Sequence, residues 1–139
     1  MPLHPADIRQ MAERYTLAWC SRSGKAVASF FAENATSIIN AGEPTVGRPA
    51  IAEAMGAFFA DLPDLVLRMD DLRFGGNQAI YLWTLEGTNS GPGGTGNFVR
   101  ISGWQNWRLS DDLLILAADG GFDAADYERQ IREGVQTDA

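Results

Sequence analysis

The chain has 139 residues, 45% of them apolar and 21% charged, an ordinary globular mix long enough for one core and read as one domain, 1–139. Eleven Lys and Arg against eighteen Asp and Glu leave a net charge of −7. An excess of that sign repels phosphate backbones and anionic lipid, so neither nucleic acid nor a membrane surface is expected as a partner.

Cys20 is the only cysteine and His4 the only histidine. No intrachain disulfide can form, a zinc site lacks ligands, and a serine or cysteine nucleophile lacks its imidazole. No metal and no cofactor are therefore expected. The start "MPLHPADIRQ" has neither the basic end nor the apolar core of a signal peptide. No run approaches the roughly 20 apolar residues that cross a bilayer. The expectation is a cytoplasmic protein.

In chain order, "ADIRQMAERYTLAWCSRSG" predicts a first helix. Asp7 and Gln10 stand at capping-box spacing, and Ile8, Met11, Tyr15 and Trp19 form one stripe. "KAVASFFAENA" predicts a second, shorter helix with Val27, Phe30 and Phe31 on its buried face. "TSIINAGEPTV" predicts a small hairpin with Gly42 and Pro44 in its bend. "GRPAIAEAMGAFFADLP" predicts a third helix, with Pro49 tolerated in its first turn and Pro63 ending it.

The period then changes from helical to alternating. Val66–Phe74 reads as a strand, Gly75–Asn77 as a turn, and Gln78–Thr88 as a long strand. "NSGPGGTG" has no phosphate-loop ending and reads as a flexible hairpin loop. Asn97–Leu109 and Leu113–Asp119 complete the strands. A last helix follows, with Asp123 as N-cap and Phe122 stapled onto Tyr127. "QTDA" is a tail.

Helices first and a strand meander afterwards predict an α+β fold: a cone-shaped, curved antiparallel sheet wrapped around N-terminal helices. Apolar residues on both strand faces, with Tyr81 and Trp104 taken to face outward, predict a homodimer across the sheet.

The residues that could carry chemistry are polar ones in apolar surroundings. They are Tyr15 on the first helix, Asn40 in the hairpin, Gln105 in mid-strand, Asp119 at a strand end and Asn89 at the end of "LEGT". Each also has a structural reading: a tied hydroxyl, a turn residue, a loop anchor or a cap. Only Asp119 exchanges a proton easily, and burial in an apolar cavity would raise its pKa toward a useful range. Tyr15, Asn40 and Gln105 can donate hydrogen bonds to a carbonyl or enolate oxygen.

The stretches "AERYTLAW", "ASFFAENATSI", "VGRPAIAEAMGAFFADLPD", "LWTLEGTNSG", "GWQNWRL" and "FDAADYERQI" resemble the NTF2-like superfamily in its SnoaL-like polyketide cyclase branch. The resemblance reaches across nearly the whole chain. It implies a cone-shaped fold around an apolar pocket, often in a homodimer. The superfamily's activities include ketosteroid isomerisation, polyketide ring closure, epoxide hydrolysis and dehydration.

Tyr15 matches the first-helix tyrosine of the ketosteroid isomerases. Their catalytic aspartate falls near Asn40 and their oxyanion-hole aspartic acid on Gln105. Amides at both places argue against steroid-type isomerisation by the usual route. The cyclases' Gly-Thr-His becomes Gly87-Thr88-Asn89, and their late aspartate falls at or near Asp119, with Ala117 where a second acidic residue often stands. The Asp-Arg-Asp set of the epoxide hydrolases meets Gly103 and Gln105.

The resemblance thus implies an enzyme of the cyclase or isomerase type. Asp119 would move a proton beside the carbonyl of a small apolar molecule. Tyr15, Asn40 or Gln105 would hold the oxygen, and Trp19, Phe58, Trp83, Asn89 and Trp107 would line the pocket. The alternatives are a non-catalytic protein that binds a small apolar ligand in the same fold, or a scaffold with a packed interior.

Overall fold

The computed structural model describes residues 3–135, and the tail Gln136–Ala139 lies outside them. Helix α1 (Pro5–Cys20) buries the predicted stripe of Ile8, Met11, Tyr15 and Trp19, together with Ala12. Its N-cap is His4 rather than Asp7: the imidazole Nδ1 accepts from the Ala6 N–H at 3.2 Å. Asp7 lies in the first turn, where its carboxylate complements the helix dipole.

Helix α2 covers only Gly24–Ala28, capped by Ser23. The predicted helix through Ala35 is corrected here, because Phe31 already opens strand β1 (Phe31–Ile39). The helical spacing of Val27, Phe30 and Phe31 is real, but it loses to a long-range partner. β1 lies parallel to β6 (Ile115–Phe122), and Ile115 N–H donates to the Phe30 carbonyl at 2.9 Å. Tertiary pairing outweighs a short stretch's own preference.

β1 turns into β2 (Thr45–Val46) through Asn40 and Ala41, both left-handed, with φ of 54° and 57°. The Gly42 N–H closes this bend on the Ile39 carbonyl at 3.0 Å. Two successive left-handed residues make the mirror-image turn that suits hairpin twist, and asparagine tolerates it well. The bend is therefore centred two residues before the predicted one. Helix α3 (Arg48–Asp61) carries Pro49 in its first turn, and its buried face is Ile51, Met55 and Phe59.

Strands β3 (Val66–Gly75), β4 (Gln78–Thr88) and β5 (Phe98–Leu109) follow within a residue of their predicted bounds. β6 begins two residues later than expected and runs three further. Gly120 and Gly121 stay in the ladder opposite Gln105 and Trp104. Helix α4 (Ala124–Glu133) is capped by Asp123, and Phe122 meets Tyr127 with ring centroids 5.8 Å apart.

The six strands form one curved, unclosed sheet in the order β2-β1-β6-β5-β4-β3, with the helices against it. The architecture is mixed α+β. Among the described residues no helix is long and apolar enough to cross a membrane. Ladder parity decides what enters the core. Leu67, Tyr81, Leu85, Ile101 and Trp107 are buried on the helix-covered face. Tyr81 is therefore not on the outer face as expected: it is fully buried and stacked on Trp107 at 4.8 Å.

The outer face mixes apolar and ionic groups. Ile80 and Trp104 are each 44% exposed. Arg68 and Arg100 both pair with Glu86, and Arg68 also reaches Asp70. Such exposed pairs contribute little to stability, typically about 0–1 kcal/mol.

The loop between β4 and β5 is tied down by Asn89. Its Nδ2 donates to the Asp61 carbonyl at the end of α3 at 2.7 Å, and its Oδ1 accepts from the Thr95 N–H at 2.8 Å. Thr95 and Asn97 in turn donate to the Ile131 carbonyl in the last turn of α4. The Tyr127 hydroxyl donates to Asp61 at 3.2 Å. One buried amide thus joins two helix ends and a glycine-rich loop. Asn89→Ala is expected to lower unfolding free energy by about 1 kcal/mol, because two part-buried partners, the Asp61 carbonyl and the Thr95 N–H, lose their bonds to it. A drop in the urea midpoint at unchanged slope is the measurement.

Candidate functional site

Between α1, α3 and the sheet lies a cavity of about 40 Å³. It holds a few water-sized volumes, each needing ~10–15 Å³, and is far below the ~300–1,000 Å³ of a drug-sized pocket. The interior is small because aromatic rings fill it. Tyr15 meets Trp107 edge-on at 4.9 Å and Tyr81 at 5.4 Å. Phe122 closes toward Phe58 at 6.0 Å and Trp83 at 6.1 Å.

Gln105 is the polar centre of this wall. The Tyr15 hydroxyl donates to its Oε1 at 3.0 Å, and the Trp107 indole N–H donates to the same oxygen at 2.9 Å. An indole N–H can only donate, so the oxygen of the amide must face it. That fixes the amide's orientation and turns Nε2 away. Nε2 makes no hydrogen bond to protein among the described residues, it is not sealed off as a buried orphan, and Gln105 borders the cavity. Two N–H donors are left for whatever enters.

The remaining hydroxyls are committed. Thr16 donates its single proton to the Ala12 carbonyl at 2.9 Å, so Tyr81 is the donor in its 2.5 Å bond to Thr16. Burial pushes the Tyr15 hydroxyl up to about 12 and raises Tyr81 as well. Both are neutral at physiological pH. Among the described residues, no carboxylate, imidazole or amine borders the cavity.

Tyr15, Gln105, Trp19, Phe58 and Trp83 border this one cavity. Four other residues are placed elsewhere. Trp107 is fully buried behind Gln105 and orients it without bordering the cavity. Asn89 is the loop anchor described above. Asn40 clamps the hairpin to β6: its N–H donates to the Gly120 carbonyl, and its Oδ1 accepts from the Phe122 N–H at 2.8 Å.

Asp119 is the largest correction. It is exposed on the outer face, opposite Asn106 and Ile38 in the ladder. Gly120 shares the inner face with Gln105, so the residue before it must point out. Asp119 borders an open groove outside the sheet, with Asn40, Ser102 and Trp104. The sequence reading missed Met55, Tyr81 and Phe122 at the cavity. For Tyr81 a signal existed, since it shares strand parity with Trp83.

The model of the SnoaL-like domain matches residues 12–117. None of the curated proteins matches the sequence. Among solved structures, TsrD from Streptomyces laurentii is similar at a TM-score of 0.78 and 21% identity, covering 93% of this chain and 97% of that one. A hypothetical protein with a ketosteroid isomerase-like fold from Catenulispora acidiphila, in complex with trimethylamine, matches at 0.76 and 15%, covering 87% and 91%. SalBIII, an epoxide hydrolase/cyclase-like enzyme in pyran ring formation in salinomycin, matches at 0.74 and 18%, covering 87% and 94%.

The neutral tyrosines have a consequence at high pH. Tyr15 keeps its proton in the folded chain up to about 12, against 10.0 when free. Below pH 10 folded and unfolded chains both hold that proton, so the contribution to stability is complete. It is lost as pH rises from 10 toward 12, by at most about 3 kcal/mol. Denaturant titrations across pH 9–11 are expected to show stability falling, with a shallower fall for Tyr15→Phe.

Proposed function

Because the chain belongs to the SnoaL-like family of the NTF2-like superfamily, we propose that it binds a small, uncharged, apolar molecule carrying one acceptor oxygen, a ketone or aldehyde carbonyl. The observation that carries this reading is the Gln105 amide, whose oxygen is taken by Tyr15 and Trp107 and whose N–H groups are free at an aromatic cavity. A buried amide donor favours a carbonyl over a hydrocarbon of the same shape, because an unmatched donor would lose its water without replacement.

The reading is one of binding rather than proton transfer. Among the described residues the cavity is lined by no group that would accept a proton near neutrality, and Asp119 lies across the sheet from it. Polarising a carbonyl is the chemical assistance Gln105 can give. The family's folds serve enzymes and binders alike, so the lining decides.

Cyclopentanone against cyclopentane is the test. The ketone is expected to shift the Gln105 side-chain amide signals in ¹⁵N-resolved spectra, and the hydrocarbon to bind more weakly without that shift. Gln105→Glu keeps the acceptor for Tyr15 and Trp107 and, at a pH high enough to ionise its carboxyl, removes the donor; in that state it is expected to weaken ketone binding about tenfold or more. Equal binding of both compounds, or a Gln105→Glu variant that in that state binds like the wild type, would overturn the reading.

A further inference from the structure

The two partners of the Gln105 oxygen, Tyr15 at 3.0 Å and Trp107 at 2.9 Å, are not equivalent. A phenol hydroxyl donates or accepts, so Tyr15 can meet either end of the amide. An indole N–H only donates, so Trp107 can meet the oxygen alone. With Tyr15 as sole partner, Oε1 could take the Tyr15 proton, or Nε2 could donate to the Tyr15 oxygen. Each arrangement makes one hydrogen bond. The terminal torsion of a glutamine is broad and roughly two-fold, so the side chain's own preference does not choose between them.

Trp107 is also the partner that cannot adapt. Its ring is fully buried, stacked on Tyr81 at 4.8 Å with the planes 20° apart, and met edge-on by Tyr15 at 4.9 Å. Its ladder partners on either side, Ala79 and Ala118, are buried too. The N–H stays aimed at position 105, two residues back on the same face of β5.

We propose that Trp107, which does not border the cavity, is the positioning residue that sets the sign of the hydrogen bond the cavity offers. By holding Oε1 it presents Nε2. The cavity then accepts a molecule with an acceptor and refuses one whose only polar group is a donor, because two donors would face each other unpaired. Tyr15 lines the cavity and touches the same oxygen, yet it does not make that choice. The inference rests on the binding role proposed above and adds the class of molecule that is turned away.

Cyclopentanone and pyrrole are five-membered rings, one with an acceptor and no donor, the other with a donor and no acceptor for a hydrogen bond in its plane. Wild type is expected to bind the ketone about tenfold or more tighter than pyrrole. Trp107→Phe takes away the N–H behind the amide, and the ratio of the two dissociation constants is expected to fall toward unity, since each ligand then selects the amide orientation it needs. Tyr15→Phe removes the other hydrogen bond to the same oxygen. It alters both affinities and is expected to keep the ratio at or above the wild-type value. A ratio unchanged in Trp107→Phe, or falling equally in Tyr15→Phe, would overturn the proposal.

The ligand-free protein gives a second readout. Cross-relaxation between the Gln105 amide protons and the Tyr15 ring protons is expected to be severalfold stronger in Trp107→Phe, where the amide can turn, than in wild type. Equal cross-relaxation in the two would overturn the proposal. Trp107→Met, which also carries no donor, gives the same contrasts if the phenylalanine variant is unstable. Failure of cyclopentanone to bind the wild type would end the binding reading by itself, while the cross-relaxation would still decide whether Trp107 holds the amide.

Discussion

Two buried donors, the Tyr15 hydroxyl and the Trp107 indole N–H, converge on one carbonyl oxygen of Gln105. Each would be costly to leave unpaired inside an aromatic core. Their shared acceptor fixes the rotation of α1 against β5, since only one face of the helix brings Tyr15 to that oxygen. It also sets the Trp107 ring on which Tyr81 stacks. The packing of the first helix, the middle of the sheet and the orientation of the cavity's polar group all follow from that junction.

The same junction explains why the interior is uncharged. A carboxylate at position 105 could also accept both bonds, but it would bring a charge into a space with no cation to meet it. The amide supplies the acceptor and stays neutral. The chain's acidic excess is left to the surface, where Asp70, Glu86 and Asp126 have arginine partners and Asp119 faces solvent.

Much of the fold was legible because period and parity are local. The α1 stripe, the proline-marked ends of α3 and the alternation through β4 and β5 are written in adjacent residues. What escaped depends on distant partners. Phe30 and Phe31 look helical until Ile115 offers its N–H. The placement of Asp119 turns on whether Gly120 or its neighbour faces Gln105, a register that glycines leave unmarked in sequence. Gln105 stood out as an amide among apolar neighbours. Its meaning came only from Trp107, two residues away on the same face. Asn89 drew attention as a replaced histidine, yet its work is to hold a helix end, which no residue near it announces.

The parallel pairing of β1 with β6 also governs how the chain comes to be made. Asn40 and Phe122, which clamp the two strands, are 82 positions apart. During synthesis the first helix and β1 leave the ribosome long before the strand that completes them exists. Until then the edge of β1 that β6 will pair with stays open. Long-range closure of this kind is slow and leaves strand edges open to other chains. The chain's vulnerable interval is therefore late in translation, and the segment at risk is among the first to be made.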